Sequence, residues 1–298
     1  MKSKKGLLFT IVLAIFFIFF LNITFNKSEL QNLNDGEITV IGHGGLGFTA
    51  WFPFNHYPSN SYASLSKAIT EEKAHGVEVD VQMTADRQFV LYHDELLDSK
   101  TTAKGCVSQW NYAELLEVDY QLGAPFNWFQ SEKIIGLQQL VELLKEQEEF
   151  PILHLDVRHK SKCFSEEENA KWGRDMVFEL LRSLGSMGVP QEKVLVISIS
   201  RAFLLGAINM KSPYALSYEV VGDTEDALIW AEEQEINTIT IKPKLLTKEL
   251  SAQLHAKNIQ VITFGAKSKS GNKKLLELNP DVIQTNNIEA LRELMEYE

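Results

Sequence analysis

The sequence predicts a single α/β domain folded as a (β/α)8 TIM barrel. Short β-branched and aliphatic runs alternate with segments of helical periodicity, as expected for parallel strands linked by helices. Eight such strands can be counted, near residues 39, 78, 152, 195, 215, 239, 262 and 283. Eight β/α units in roughly 260 residues are enough to close a barrel. A doubly wound open sheet is the alternative, but residues 43–47 (HGGLG) lack the G-x-G-x-x-G spacing typical of that fold.

The first 27 residues predict a targeting segment. Three lysines, at positions 2, 4 and 5, precede an apolar run over residues 6–21, which is the pattern of a charged n-region and a hydrophobic segment. No Ala-x-Ala-like cleavage site follows the run. We therefore expect an uncleaved signal anchor in the cytoplasmic membrane, with the lysines inside and the remaining chain outside, periplasmic or extracellular. A cleaved signal peptide, which would leave a secreted protein, is the alternative.

The rest of the chain divides into a short connection and one domain. Residues 28–37 are polar and are expected to form a short stalk, and residues 38–298 are expected to form the barrel. The alternation is interrupted after strand 2. There a second short strand is predicted at Phe89–His93, and residues 95–135 are irregular, with glycines and two tryptophans. This stretch predicts a small insertion in the barrel.

Composition narrows the range of partners. The chain has a net charge of −11, and its first 27 residues carry four lysines and no acids, so the remainder is more acidic still. Such a domain is not expected to bind nucleic acid or anionic lipid surfaces, which require clustered Lys and Arg. Two cysteines, Cys106 and Cys163, lie in polar segments expected at the same end of the fold. In an exported protein they permit one disulfide; the alternative is two unrelated small residues.

Charged side chains cluster at the predicted strand ends, where barrel enzymes place their catalytic groups. Glu78 and Asp80 lie two apart on strand 2, so both side chains point to the same face. Two carboxylates held this close repel each other, and a divalent cation is the usual reason to place them together. On strand 3, Asp156 and Arg158 again share one face. We therefore predict a cation site formed by Glu78, Asp80 and Asp156.

Histidines lie beside that site. His43 closes strand 1, and His93 ends the short strand after strand 2. Two histidines next to a cation site suit general acid and base catalysis near neutral pH. Asp94 follows His93, but side chains one apart on a strand point oppositely, so Asp94 is expected either to support His93 or to brace the loop. His154 lies one pleat below Asp156, as a supporting residue of the site or simply a hydrogen-bonded barrel histidine.

The pattern of these motifs resembles the glycerophosphodiester phosphodiesterase family over about residues 38–296, most specifically from 76 to 105. The matching segments are 41–45 (IGHGG), 58–61 (PSNS), 76–84 (GVEVDVQMT), 90–94 (VLYHD), 97–102 (LDSKTT), 153–158 (LHLDVR) and 280–286 (PDVIQTN). The sequence departs from the family at four positions. Gly44 and Ser59 stand where the family has Arg and Glu, and Asp156 and Arg158 stand where it has Glu and Lys.

The resemblance implies residue roles. His43 and His93 would be the catalytic acid/base pair. Glu78, Asp80 and Asp156 would hold one divalent cation, Ca²⁺ or Mg²⁺, through oxygen ligands. Arg158 would bind the substrate phosphate, since its planar fork can contact two phosphate oxygens. The insertion at 95–135 would cover the barrel mouth and help to shape the substrate pocket.

The function implied is metal-dependent hydrolysis of a small-molecule glycerophosphodiester to an alcohol and glycerol 3-phosphate. Two alternatives stay open. The membrane segment and the aromatic residues 48–54 (FTAWFPF) favour a lipid-directed enzyme acting on a lysolipid or lipid, of the lysophospholipase D, sphingomyelinase D or phosphatidylinositol phospholipase C type. Gly44 and Ser59 favour a catalytically inactive ligand-binding barrel, against which the retained histidines and carboxylates argue.

Overall fold

The computed structural model describes residues 23–48 and 55–296. Its strands are β1 (Thr39–His43), β2 (Gly76–Met83), β3 (Phe89–Leu91), β4 (Ile152–Val157), β5 (Val194–Ser198), β6 (Ala215–Val220), β7 (Thr238–Ile241), β8 (Gln260–Phe264) and β9 (Val282–Thr285). Its α-helices are α1 (Tyr62–Thr70), α2 (Tyr112–Leu115), α3 (Leu137–Lys145), α4 (Glu166–Met187), α5 (Arg201–Asn209), α6 (Thr224–Glu233), α7 (Lys248–Ala256), α8 (Lys269–Leu276) and α9 (Ile288–Glu296).

Eight parallel strands close into a barrel. Strand β1 pairs in parallel with both β2 and β9, and the ring continues through β8, β7, β6, β5 and β4 back to β2. The predicted eight-stranded barrel is therefore confirmed. The ninth strand, β3, lies outside the ring and pairs antiparallel with β2. It ends at Leu91 rather than at His93 as predicted, so His93 is free of the strand's alternation.

Local sequence signals explain how the helices begin and pack. Ser61 caps α1 by accepting a hydrogen bond from the Ser64 backbone, which satisfies one of the amides left free at a helix start. The buried residues of α1, which include Leu65 and Ala68, pack with the outward-facing aliphatic side chains of the strands. The barrel interior below the strand ends is filled by a separate aliphatic cluster of Ile41, Leu195, Ile197, Ile262 and Val282. The barrel is thus closed at its base, and the polar site lies above this layer.

Residues 23–37 lie against the amino-terminal end of the barrel, opposite the strand ends that carry the site. Phe25 and Leu30 are buried in the main core. The backbone amides of Gln31 and Leu33 donate to the side chains of Asn279 and Asp281, which immediately precede β9. The segment predicted as a stalk over residues 28–37 is therefore packed on the base of the barrel.

The predicted membrane segment, residues 1–27, falls almost entirely outside the described residues. Among the residues that the structure describes, no helix has the length and apolar character needed to cross a membrane.

The irregular segment 95–135 forms a small unit beside the barrel mouth. It holds short 3-10 turns and α2, and its apolar side chains pack into a cluster of their own with Val90 and Tyr92. A disulfide joins Cys106 of this unit to Cys163 in the loop after β4, with the two Cα atoms 6.1 Å apart. The insertion is thereby fixed to the loop that follows Arg158.

Candidate active site

Three carboxylates converge at the carboxyl ends of β2 and β4. Asp80 and Asp156 are direct partners in the parallel register of these strands, and Glu78 lies one pleat below Asp80. One oxygen from each of the three lies within 4.8 Å of the others. Glu78 and Asp80 are almost fully buried, at 2% and 0% exposure. The side chains predicted to bind a cation are thus brought together in one cluster.

Burial and mutual repulsion disturb the ionisation of this cluster. Burial, followed by repulsion from Asp80 and Asp156, raises the pKa of Glu78 well above its ordinary value. Burial also raises the pKa of Asp156 to about 7, although Arg158 opposes the shift. For Asp80 burial is the largest single effect and raises the pKa, but the charges of Arg158 and His93 and the hydrogen bonds from Asn60 and Arg158 together lower it. All three donors are carboxylate oxygens, so the cluster fits a hard divalent cation such as Ca²⁺ or Mg²⁺, whose charge would relieve the repulsion.

Arg158 lies against the carboxylates. Its Nε donates to Asp80 Oδ1 at 2.8 Å, and one terminal nitrogen lies 2.8 Å from Asp156 Oδ2. Asn60 holds the other oxygen of Asp80, donating from Nδ2 to Oδ2 at 2.8 Å. Asn60 was part of the matching PSNS segment but was not predicted as a site residue. Its role is visible only in the folded state, where α1 and β2 are adjacent.

His43 lies next to the cluster. Its Nε2 is 3.8 Å from Glu78 Oε2, and its Nδ1 hydrogen-bonds Asn286 Oδ1 at 3.0 Å. The adjacent amide of Gly44 donates to Glu78 Oε2 at 2.9 Å. Burial lowers the pKa of His43 to about 4, more than Asp80 and Asn286 raise it. His43 is therefore a neutral imidazole at neutral pH in this environment.

His93 faces His43 across one aromatic ring. The Phe48 ring centroid lies 4.4 Å from that of His43 and 5.0 Å from that of His93. Asp94 Oδ1 lies 2.6 Å from His93 Nδ1, and Ser99 donates to the other Asp94 oxygen. The expectation that neighbouring side chains diverge does not apply here, because β3 ends before His93. The hydrogen bond from His93, opposed by burial, lowers the pKa of Asp94, so Asp94 is an ionised partner that fixes the ring.

The side-chain hydrogen bond of His154 goes to Gln284 and not to the carboxylate cluster. His154 is buried, and its Nδ1 lies 3.1 Å from Gln284 Nε2 of β9. Burial lowers its pKa to about 3. Because Gln284 also lines the cavity at the strand ends, His154 supports that side chain from below.

The strand ends enclose a cavity of about 180 Å³ whose walls include residues that were not predicted. His43, Glu78, His93, Asp156 and Arg158 line it, and so do side chains from the second half of the barrel. These are Glu219, Thr240, Lys242, Phe264 and Gln284. Polar residues alternate along β6 and β7, and this alternation was the sequence signal that could have predicted the polar members of this group. Single polar positions on short strands are less distinctive than the Glu-x-Asp pair, so these residues were not predicted.

Two larger pockets adjoin His93. One, of about 340 Å³, is lined by Tyr57, Tyr92, Tyr120 and Phe126 together with Lys100. The other, of about 580 Å³, lies between the Glu95 loop and residues 157–162 and reaches Arg158. Residues of the insertion form part of the first pocket, so this segment contributes to the walls around His93.

Comparison with known proteins identifies the family. Residues 53–290 match the model of the glycerophosphoryl diester phosphodiesterase family. A glycerophosphodiester phosphodiesterase of Bacillus altitudinis is 25% identical over 77% of this chain and 89% of its own length. A probable glycerophosphodiester phosphodiesterase 1 of Mycobacterium tuberculosis is 31% identical over 56% of this chain and 58% of its own length.

Solved structures share the fold. An Oleispira antarctica phosphodiesterase in complex with the product sn-glycerol-3-phosphate superposes with a TM-score of 0.72 at 20% identity, covering 91% of this chain and 98% of that one. A glycerophosphodiester phosphodiesterase of Parabacteroides distasonis gives a TM-score of 0.68 at 19% identity, covering 87% and 97%. With the family model spanning most of the barrel, this chain belongs to the glycerophosphoryl diester phosphodiesterase family and is a phosphoric diester hydrolase.

Proposed function

We propose that this enzyme hydrolyses small glycerophosphodiesters to an alcohol and glycerol 3-phosphate, and that it requires one divalent cation, Ca²⁺ or Mg²⁺. The observation that carries the proposal is the cluster of Glu78, Asp80 and Asp156 at the strand ends, with a histidine on either side. When bound, the cation would supply positive charge to the non-bridging phosphate oxygens, which otherwise repel a nucleophile.

The two histidines differ in their surroundings, and the difference supports a separate role for each. His43 is neutral because burial lowers its pKa to about 4, so it can accept the proton of the attacking hydroxyl. His93 is held through Nδ1 by the ionised Asp94, which orients the ring and leaves Nε2 to protonate the leaving oxygen. The geometry therefore supports His43 as the base and His93 as the acid of the first step.

The family resemblance implies that the glycerol hydroxyl next to the phosphate attacks first. A new oxygen–phosphorus bond then forms as the bond to the alcohol breaks, giving a cyclic phosphate and the free alcohol. Water opens the ring in a second step, with His93 as base and His43 as acid, and the product is glycerol 3-phosphate. The same two side chains thus serve both steps in reversed roles.

One observation favours the lipid-directed alternative. Trp128 and Phe129 of the insertion are 73% and 50% exposed, as aromatic residues at a lipid interface would be. The base of the barrel argues the other way. Residues 23–37 are packed on the face opposite the active site, so the described chain begins at the end of the barrel away from the mouth. We therefore favour a water-soluble diester.

We also propose that the catalytic domain lies outside the cytoplasmic membrane. The charged and apolar pattern of residues 1–21 supports export. The disulfide between Cys106 and Cys163 supports it independently, because disulfides persist mainly in oxidising compartments. Labelling of intact cells with a membrane-impermeant reagent would test this location. Protection of the barrel in intact cells, with labelling only after lysis, would overturn it.

The activity is tested by following phosphorus NMR while the full chain acts on glycerophosphocholine or on lysophosphatidylcholine in Ca²⁺, Mg²⁺ or EDTA. We expect glycerol 3-phosphate from glycerophosphocholine in the presence of a cation and none in EDTA. Turnover of the lysolipid alone would establish the lipid-directed alternative. A folded protein that binds the cation and turns over neither substrate would favour the inactive barrel.

A further inference from the structure

The cavity has a second charged wall, formed by residues that do not belong to the carboxylate cluster. Glu219 lies on β6, and Lys242 directly follows β7; we call these two residues the β6–β7 wall. Both line the cavity shared with His43, His93 and Arg158. In the ring, β7 is separated from β2 by three strands on either side. The β6–β7 wall therefore faces Glu78 and Asp80 across the mouth.

Neither residue of the β6–β7 wall makes a direct hydrogen bond or a close ion pair with another described residue. Glu219 is only 8% exposed, yet its carboxylate has no hydrogen bond or ion pair within that part of the chain. A buried charge without a partner costs stability, so it requires a compensating role. Lys242 is half-buried and likewise has no hydrogen bond or ion pair there. Burial raises the pKa of the Glu219 carboxyl, and the charges of Arg158 and then of Lys242 oppose that shift.

The other cation of the cavity is already engaged. Arg158 contacts both Asp80 and Asp156, so its guanidinium balances carboxylates as well as facing the mouth. Position 44, at the end of β1, cannot supply a second cation. Gly44 has a φ of +60°, and a Cβ there would lie 2.8 Å from Ser59 Cβ and 2.9 Å from the Phe48 ring. A side chain at that position would be strained and would have to displace Ser59 or Phe48, whereas Lys242 lines the cavity and can contact an anion.

We propose that the β6–β7 wall is the substrate-recognition surface of the site, with Lys242 binding a non-bridging oxygen of the phosphate and Glu219 accepting a hydrogen bond from a glycerol hydroxyl. The inference deepens the proposed function and rests on it for the identity of the substrate. A phosphate between the carboxylate cluster and Lys242 has positive charge on two opposite sides once a cation is bound. Glu219 then selects for a substituent that carries a hydroxyl, because a diester without that hydroxyl leaves the Glu219 carboxylate without a hydrogen bond.

Binding of two probes to the full chain separates the two roles. Calorimetry in saturating Ca²⁺ compares inorganic phosphate with sn-glycerol 3-phosphate. We expect Lys242→Met to weaken both probes by about 10- to 100-fold, the usual range for losing a hydrogen bond to a charged group. Lys242→Arg should restore most of the affinity. Glu219→Leu should weaken glycerol 3-phosphate by about 10-fold and leave inorganic phosphate unweakened.

Lys244→Met is the matched control, because Lys244 lies in the same turn but is exposed. It should bind both probes like the wild type, and the melting temperatures of all variants should show that they fold. Wild-type turnover of glycerophosphocholine with unchanged probe binding by Lys242→Met would overturn the inference and leave the proposed function intact. Equal weakening of both probes by Glu219→Leu would overturn its assignment to the hydroxyl. If the wild type shows no turnover but the variants show the expected pattern of probe binding, the binding surface is supported and the proposed function is contradicted.

Discussion

The two walls of the active site differ in how their charges are balanced. On β2 and β4, Arg158 contacts both Asp80 and Asp156, and Asn60 holds a further oxygen of Asp80. On the β6–β7 wall, Glu219 and Lys242 have no such contacts among the described residues. Groups that are held by direct contacts keep their geometry before substrate arrives, which is what catalytic groups require. Unpaired groups retain their hydrogen-bonding capacity for the ligand, which is what recognition requires.

The largest expected effect on activity comes from the two histidines beside the carboxylate cluster. His43→Ala and His93→Ala should each reduce kcat by about 10²- to 10⁴-fold, because each removes a positioned proton acceptor or donor. The KM should change little, in contrast to the variants of the β6–β7 wall. Steady-state kinetics on glycerophosphocholine measures both constants.

His75→Asn is the control for these variants, since His75 lies at the base of the barrel and accepts a hydrogen bond there from the Val40 amide. It should retain wild-type kinetics. Full activity of either His43→Ala or His93→Ala would show that this residue is not catalytic. It would also contradict the division of the site into a catalytic wall and a recognition wall.

Asp94→Asn should have a smaller effect, a loss of about 10- to 100-fold in kcat. Asp94 acts through His93, whose Nδ1 lies 2.6 Å from the carboxylate, so the variant loses the charged partner that orients the ring. The expected signature is therefore a lower kcat with a KM close to that of the wild type. An unchanged kcat would show that Asp94 only braces the loop, through Ser99 and Lys100.

The stability of Glu78→Gln relative to the wild type should depend on the cation: the variant should be the more stable protein without it and gain less stability with it. In EDTA, burial and repulsion raise the folded-state pKa values of Glu78 and Asp156. Between the unfolded and folded pKa values the folded protein binds more protons, so this contribution to stability falls as pH rises. Glu78→Gln removes one of the buried charges. In EDTA the variant should therefore melt above the wild type at pH 8, and the difference should shrink towards pH 5.

With a cation at about 100 times its dissociation constant, the wild type should gain about 2.7 kcal/mol. For a domain of this size that is several degrees in melting temperature. Glu78→Gln should gain much less, since it lacks one ligand. Differential scanning fluorimetry with and without Ca²⁺ measures both effects. Equal stabilisation of the two proteins by Ca²⁺ would place the cation elsewhere.

The smallest effect on activity is expected from the disulfide, which joins the insertion to the loop after β4 rather than touching either wall. Paired Cys106→Ser and Cys163→Ser substitutions should cost about 2–4 kcal/mol of unfolding free energy. Turnover at 25 °C should change less than for any variant above. Denaturant unfolding measures the first quantity. A loss of activity as large as that of His93→Ala would show that the insertion positions His93 through this link.

Patterns within one strand or one motif were readable from the sequence, and relations between distant strands were not. Glu78 and Asp80 are separated by one residue, so the strand period placed them on one face, and the β/α alternation predicted the eight-stranded ring. Glu219 is a single charged position on β6 and Lys242 a single one just after β7, and only closure of the ring brings them opposite Glu78. The pairing of His93 with Asp94 was left open beside the loop-bracing alternative for a local reason, because β3 ends two residues earlier than predicted.

Cation dependence is tested most directly by the rate of glycerol 3-phosphate release from glycerophosphocholine, titrated with Ca²⁺ for the wild type and for Glu78→Gln. We expect no release in EDTA, a saturable increase with Ca²⁺ in the wild type, and a strongly reduced maximum in the variant. Release that is independent of Ca²⁺ and Mg²⁺, or equal in the two proteins, would contradict a cation-dependent site on the carboxylate cluster.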